Sequence, residues 1–204
     1  MYIPELYKNE NQKDIQKFIH QNGFGILVNQ TVGKLWATHI PFLLEEKHEK
    51  QILVGHVSRE NPQAKSFNDN EEVLVIFLGA HSYISSSWYD HENVPTWNYL
   101  AVHVYGKVKL HSLEETIEAL KRLVNKYETN SEKPVNVDDL SEKTMLQAKG
   151  IVSFEIEITS IEAQKKLSQN RDDKNYQTII SELEKTNDNQ AAAVAEEMKK
   201  NRKL

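Results

Sequence analysis

Cysteine is absent from this chain of 204 residues. Disulfide scaffolds, thiolate-bound zinc and thiol nucleophiles are excluded together. No apolar run approaches the ~20 residues that cross a bilayer, and the opening MYIPELYKNENQ lacks the basic start and apolar core of a secretory signal. A cytoplasmic protein without membrane association is therefore expected. Positive charge is in deficit too: the net charge of −5 gives no general attraction to nucleic acid. No G-x-G-x-x-G, P-loop or G-x-S-x-G occurs, so dinucleotide-fold, Walker and hydrolase-elbow chemistries lose support. No helix-turn-helix and no internal repeat is found. At this length the chain buries roughly 70% of its unfolded surface in one domain, so it needs no metal or disulfide staple.

What is present is a series of strands. Gly25–Gln30, Leu35–Leu44, Gln51–Ser58, Glu72–Leu78, Val94–Leu110 and Ile151–Glu162 have strand composition or alternation. The first two are joined by Thr31-Val32-Gly33-Lys34, where Gly33 can take positive φ. Helical spacing occurs at Ile15, Phe18 and Ile19, with Asn22-Gly23 as a left-handed stop. Ser112 and Glu115 form a capping box ahead of Ile117, Leu120, Val124 and Tyr127. A weaker helix is expected over 137–148, and helices again from about Asp172. Hairpins dominate and βαβ alternation is missing. The expected fold is mainly β (α+β): a six-stranded, mostly antiparallel barrel with peripheral helices. In the last strand Val152, Phe154, Ile156 and Ile158 should face inward, and Glu155, Glu157 and Thr159 outward.

Residues 94–110, VPTWNYLAVHVYGKVKL, have two unlike faces. Leu100, Val102, Val104, Val108 and Leu110 share one side; Trp97, Tyr99, His103 and Tyr105 share the other. Rings with polar tips suit flat ligands and subunit contacts, and Tyr83, Trp88, Tyr89 and Ser85 to Ser87 lie nearby in sequence. Ordinary core packing is the alternative. The histidines at 39, 56, 81, 91 and 103 stand singly on strands and loops, without metal-ligand spacing; structural hydrogen bonding accounts for them. Two stretches suit an anion. Ser58-Arg59 ends a strand with a bidentate guanidinium, and Lys165 to Arg171 precede a helix N-terminus. Asn170 as cap, with Asp172 and Asp173, could instead satisfy that helix. Glu155 and Glu157 read as solvated surface, and the basic KKNRKL as an ordinary helix end.

Taken in order, MYIP, ATHIPFLL, GHVSRENPQ, IFLGAHSYISSSWY, VPTWNYLAVHVYGKVKL, FEIEITSIE and KLSQNR resemble the PaiB family, FMN-binding negative transcriptional regulators of split-barrel fold. The resemblance runs from Met1 to about Arg171. It implies a domain over 1–185 followed by a helical tail over 186–204, and a homodimer with FMN at the subunit interface. It places Thr38, His39, Ser58, Arg59, Asn61, Trp88, Tyr89, Thr96 to Tyr99 and Lys166 to Asn170 around the cofactor. On that basis Arg59 and Lys166 would neutralise the phosphate, with Ser58, Ser87 and Ser168 as hydroxyl partners. Trp97 or Trp88 would border the isoalloxazine, and Asn98 or Gln169 would reach its polar edge. Ser86 replaces an expected proline, and the linker before VPTWNY is short. The implied function is repression of stress, sporulation or degradative-enzyme genes, through DNA or a regulatory protein partner. A flavin-dependent oxidoreductase and a haem binder with an axial histidine are the alternatives on the same fold.

Overall fold

A computed structural model describes residues 1–68 and 71–202. Lys203 and Leu204 of the basic terminal stretch fall outside these residues. In chain order the elements are α1 (Gln12–Gln21), β1 (Phe24–Thr31), β2 (Lys34–Pro41), β3 (Leu43–Lys47), β4 (Lys50–Ser58) and α2 (Pro62–Ser66). Then come β5 (Glu72–Ile84), β6 (Thr96–Leu110), α3 (Leu113–Glu128), α4 (Glu142–Met145), β7 (Ile151–Lys166), α5 (Asp173–Lys185) and α6 (Asn189–Asn201).

The sheet has seven strands in the order β2-β1-β5-β6-β7-β4-β3. The expected count of six fails at Phe42. The run Leu35–Leu44 breaks after Pro41, and the Phe42 amide turns away to donate to the Gly23 carbonyl at 2.7 Å. Phe42 is itself fully buried, so its ring anchors the break. The sheet is also not closed, since β2 and β3 stand at the two ends of its order. The pairings of β1 with β2 and β5, and of β4 with β3 and β7, are antiparallel.

The chain divides into two compact units. One comprises Met1–Phe18, Leu78–His103 and Glu162–Leu204; the other comprises Ile19–Phe77 and Val104–Ile161. Strands β5, β6 and β7 contribute residues to both.

The first unit is built around α5 and α6. Period-3.6 spacing puts Tyr176, Ile179, Ile180 and Leu183 on one buried face of α5. Ala191, Val194, Ala195 and Met198 do the same on α6. Both faces meet Leu100 of β6 and Ile84 of β5 in one apolar cluster. Full burial of side chains this large contributes about 1.5–3 kcal/mol each. Asp172, rather than Asn170, caps α5, its carboxylate accepting from the Asn175 amide at 3.0 Å. Within the segment beyond Thr186, Asn189–Asn201 form a packed helix.

In the second unit, Val32 (φ 51°) and Gly33 (φ 74°) form the two-residue turn between β1 and β2, with Gly33 at positive φ as its position requires. Asn22 and Gly23 keep negative φ, so the expected left-handed stop of α1 does not form. Ser112 and Glu115 make the capping box of α3. The helix expected over 137–148 is instead three short pieces: turns of 3-10 type at Val137–Asp139 and Leu146–Gly150 flank α4. Asn136 and Ser141 cap the first and second of these, so local side-chain bonds divide the segment.

Glu155 also departs from expectation. It is only 7% exposed, because Lys47 Nζ reaches its carboxylate at 2.6 Å, Lys109 Nζ at 3.4 Å and His111 Nε2 at 3.5 Å. Strand alternation sets its side, but these partners cover that side.

Candidate functional site

In the first unit the ring face forms through a change of phase in β5. That strand buries Val73, Val75 and Phe77, then Ser82 and Ile84, with half-buried Ala80 and His81 between. Odd positions are covered before the change and even positions after it. Tyr83 is thus left uncovered, and His81 half-covered, beside Trp97. The Trp97 ring lies 6.1 Å from His81 at 30°, and 6.1 Å from Tyr83 at 70°. Trp97 is 52% exposed and Tyr83 47%. His81 Nδ1 lies 3.0 Å from the Gly79 carbonyl, which fixes the imidazole if that nitrogen carries the proton. Three adjoining rings, two of them half in water, form an apolar surface with polar tips.

The segment between β5 and β6 adds polar groups. Ser85 caps a short turn over Ser86–Trp88, and its hydroxyl lies 2.8 Å from that of Ser87. Trp88 packs partly against the α5–α6 cluster, as does buried Tyr89. The Arg171 guanidinium lies over the Tyr89 ring at 4.9 Å. Among the described residues, Tyr89 Oη and Asn93 Nδ2 are buried without a hydrogen-bond partner. Such orphans are costly unless a ligand or water meets them.

At the end of β7, Lys166 Nζ donates to Thr96 Oγ1. Burial, aided by the charge of Arg171, lowers the lysine's pKa. The following turn is strained at Ser168, a non-glycine residue at φ 59°. The Ser168 hydroxyl donates to Asn98 Oδ1 at 3.1 Å, and both residues are buried. Gln169 closes the turn on itself, accepting from the Leu167 amide at 2.7 Å and donating to the Lys165 carbonyl. Asn170 is exposed and Tyr99 half-buried. Ser168 and Asn98 therefore satisfy each other, whereas Trp97, Lys166 and Ser87 keep part of their surface open.

The second unit holds the remaining expected residues. Asn61 caps α2, accepting from the Gln63 amide at 3.0 Å, and its Nδ2 donates to Thr38 Oγ1 at 2.9 Å. Thr38 in turn donates to Gln63 Oε1. Gln63 is fully buried, and its Nε2 donates to Asn29 Oδ1 at 2.8 Å. Sequence reasoning missed this glutamine, since a polar residue after proline gives no sign of burial. Arg59 Nε and Nη2 donate to the carbonyls of Lys149 (2.8 Å) and Ile151 (3.0 Å). Ser58 and Arg59 are exposed, as is His39, which stacks on Phe24 at 6.2 Å.

A second grouping in this unit was invisible in the sequence. Ser153 Oγ lies 3.0 Å from His111 Nδ1, continuing the His111–Glu155 contact. Burial holds the His111 pKa below its ordinary value, partly opposed by Glu155. For Glu155, burial opposes ionisation, but Lys47 with Lys109 and His111 outweighs it and the pKa falls. A neutral imidazole beside an anion that two lysines neutralise is a stable buried arrangement.

The fold has counterparts among solved structures. The FAD and haem binding protein from Mycobacterium smegmatis matches 78% of this chain and 73% of its own with a TM-score of 0.60. The flavocytochrome Anf3 from Azotobacter vinelandii matches 84% and 75%, also at 0.60. Identity is 12% in both, so the likeness concerns the fold. The class is thus a mostly antiparallel, split-barrel-like β domain flanked by helices.

The sequence narrows this further. Residues 1–160 match the family described as "Putative FMN-binding domain". Identity is 43% over 199 residues to the "Protease synthase and sporulation protein PAI 2" of Bacillus subtilis, covering 97% of this chain and 96% of the relative. The chain belongs to the PaiB family of FMN-binding proteins, and FMN is its cofactor.

The first unit's chemistry fits that molecule: uncovered rings suit a planar isoalloxazine, Lys166 suits a phosphate, and the orphaned Tyr89 Oη and Asn93 Nδ2 offer hydrogen bonds. When bound, FMN supplies redox chemistry at its ring, and the protein's part is binding and orientation. Among the described residues no helix is long and apolar enough to cross a membrane.

Proposed function

We propose that this chain is a cytoplasmic homodimeric FMN-binding regulator of the PaiB type, in which the face formed by Trp97, Tyr83 and His81 receives the flavin ring. The half-exposure of Trp97 and Tyr83 carries this reading. A solvent-facing strand normally bears charged or small polar residues, and a ring cluster left uncovered marks a recognition surface. Lys166, Ser87 and Gln169 are proposed as polar partners from the same unit. In the second unit, the Ser58–Arg59–Asn61 turn is proposed independently as a phosphate-recognition element.

The regulatory role is inherited from the name of the Bacillus relative, which links that protein to protease synthesis and sporulation. With a net charge of −5, action through a protein partner suits this chain better than direct DNA contact, because phosphate contacts dominate DNA affinity. Titration of the purified protein into FMN, followed by flavin fluorescence, tests the cofactor reading for wild type and Trp97→Ala. Saturable quenching by wild type, weakened in the variant, supports it; identical curves refute the assigned face. Gel shifts across a salt series test direct DNA contact, which a strongly salt-dependent shift would establish.

A further inference from the structure

The turn over 167–171 carries part of the proposed FMN site and is held by the far end of the chain. Arg202 Nη2 donates to the Gln169 carbonyl at 2.7 Å, and Nη1 to the Arg171 carbonyl at 2.9 Å. Nη1 also lies 3.1 Å from Asp173 Oδ1. The guanidinium sits over the Tyr176 ring at 4.3 Å, and Tyr176 Oη donates to the Met198 carbonyl at 2.9 Å. From the other side, Ser168 Oγ donates to Asn98 Oδ1, and Asn98 Nδ2 lies 3.5 Å from Met198 Sδ.

These bonds close a ring: α6 to Arg202, Arg202 to the turn, the turn through Ser168 to Asn98, and Asn98 back to Met198. Within it stands Ser168 at φ 59°, a conformation that an L-residue holds only when its surroundings impose it. One planar guanidinium bonding two carbonyls imposes geometry in a way a single ammonium cannot.

We infer that Arg202 is a positioning residue for FMN: by clamping the carbonyls of Gln169 and Arg171 it sets the left-handed turn at Ser168, and so the placement of Lys166 and Gln169. This rests on the proposed FMN site. It extends that site to Arg202 at the end of α6, which, like Lys166 and Gln169, lies beyond the 1–160 span matching the family.

The test compares Arg202→Ala, Arg202→Lys and Val194→Ala by FMN titration and, without FMN, by hydrogen exchange of the amides over 166–171. Val194→Ala is the stability control, since it weakens the buried face of α6 and removes none of the hydrogen bonds that hold the turn. Expected are a tenfold or greater rise in FMN Kd and faster exchange for Arg202→Ala. Arg202→Lys should lie close to it, and Val194→Ala should leave Kd unchanged despite a lower melting temperature. A wild-type Kd in Arg202→Ala overturns the inference while leaving the FMN site standing, as does a Val194→Ala rise in Kd matching that of Arg202→Ala. Should wild type fail to bind FMN, the site reading falls, and the positioning role for FMN falls with it; the exchange data then decide only the clamp on the turn. Unchanged exchange in Arg202→Ala overturns the clamp itself.

Discussion

The indole of Trp97 meets the ring of Tyr83 edge to face, 6.1 Å apart at 70°, and both are about half exposed. Removing Trp97 therefore costs the fold little, while it removes most of the flat surface offered to a ligand. Trp97→Ala is expected to weaken FMN binding by about 1–2 kcal/mol, in the range of an aromatic contact with its buried area. The urea midpoint should move much less than for a core substitution.

Arg59→Ala removes a side chain that donates to the carbonyls of Lys149 and Ile151. Loss of two hydrogen bonds predicts destabilisation of about 1–2 kcal/mol, read as a lower denaturation midpoint. FMN affinity should fall as well if the turn recognises phosphate, and stay at the wild-type value if Arg59 only fastens these carbonyls.

Gly106 passes so close to β7 that a Cβ would lie 2.5 Å from the Glu157 carbonyl oxygen and 2.5 Å from Ile156 Cγ2. The strand backbone cannot yield cheaply. Gly106→Ala is expected to destabilise by about 1–3 kcal/mol, measurable by urea unfolding.

Acid sensitivity follows from His111 and its neighbours. Burial keeps the folded-state pKa of His111 below 6.5. As pH falls below that value the unfolded chain takes up a proton that the folded chain refuses, so this histidine's contribution is full above it and shrinks below. His56 and His103, also lowered by burial, act in the same direction. Glu155 adds a second loss at lower pH: its depressed pKa stabilises above 4.5 and ceases to as pH falls through the folded value. His111→Gln should flatten, without abolishing, the decline in urea midpoint between pH 7 and pH 5. An unaltered slope would contradict this role.

Removing residues 187–204 is expected to expose Tyr176, Ile179 and Leu183, which cluster with Val194 and Met198. Even the smaller Met198→Ala should cost about 2–5 kcal/mol. Near-wild-type stability of either form, by thermal denaturation, would show that α6 is dispensable.

Much of this was legible from the chain. Of the ring side of 94–110, Trp97 is the member that joins the three-ring surface, and Ser112 with Glu115 marked the start of α3. Gly33 marked the hairpin turn. These signals are local: a few adjacent residues determine them. What could not be read depends on partners far away in sequence. Glu155 has a surface residue's identity and strand phase, yet Lys47, 108 positions away, covers it. The burial of Gln63 depends on Asn29 and Thr38 of another hairpin. The bonds of Asn98 to Ser168 and Met198 join residues 70 and 100 positions apart, which the stretch VPTWNY could not reveal. The break at Phe42 needed the Gly23 carbonyl, which no spacing rule supplies.

The most direct measurement is an equilibrium titration of FMN with the purified full-length chain, watching flavin emission, with Trp97→Ala beside it. Saturable quenching at one FMN per chain, with affinity reduced about five- to thirtyfold by the substitution, is the predicted result. Flavin emission that no concentration of wild-type protein alters, or that both proteins alter equally, would contradict the claim that these rings receive the cofactor.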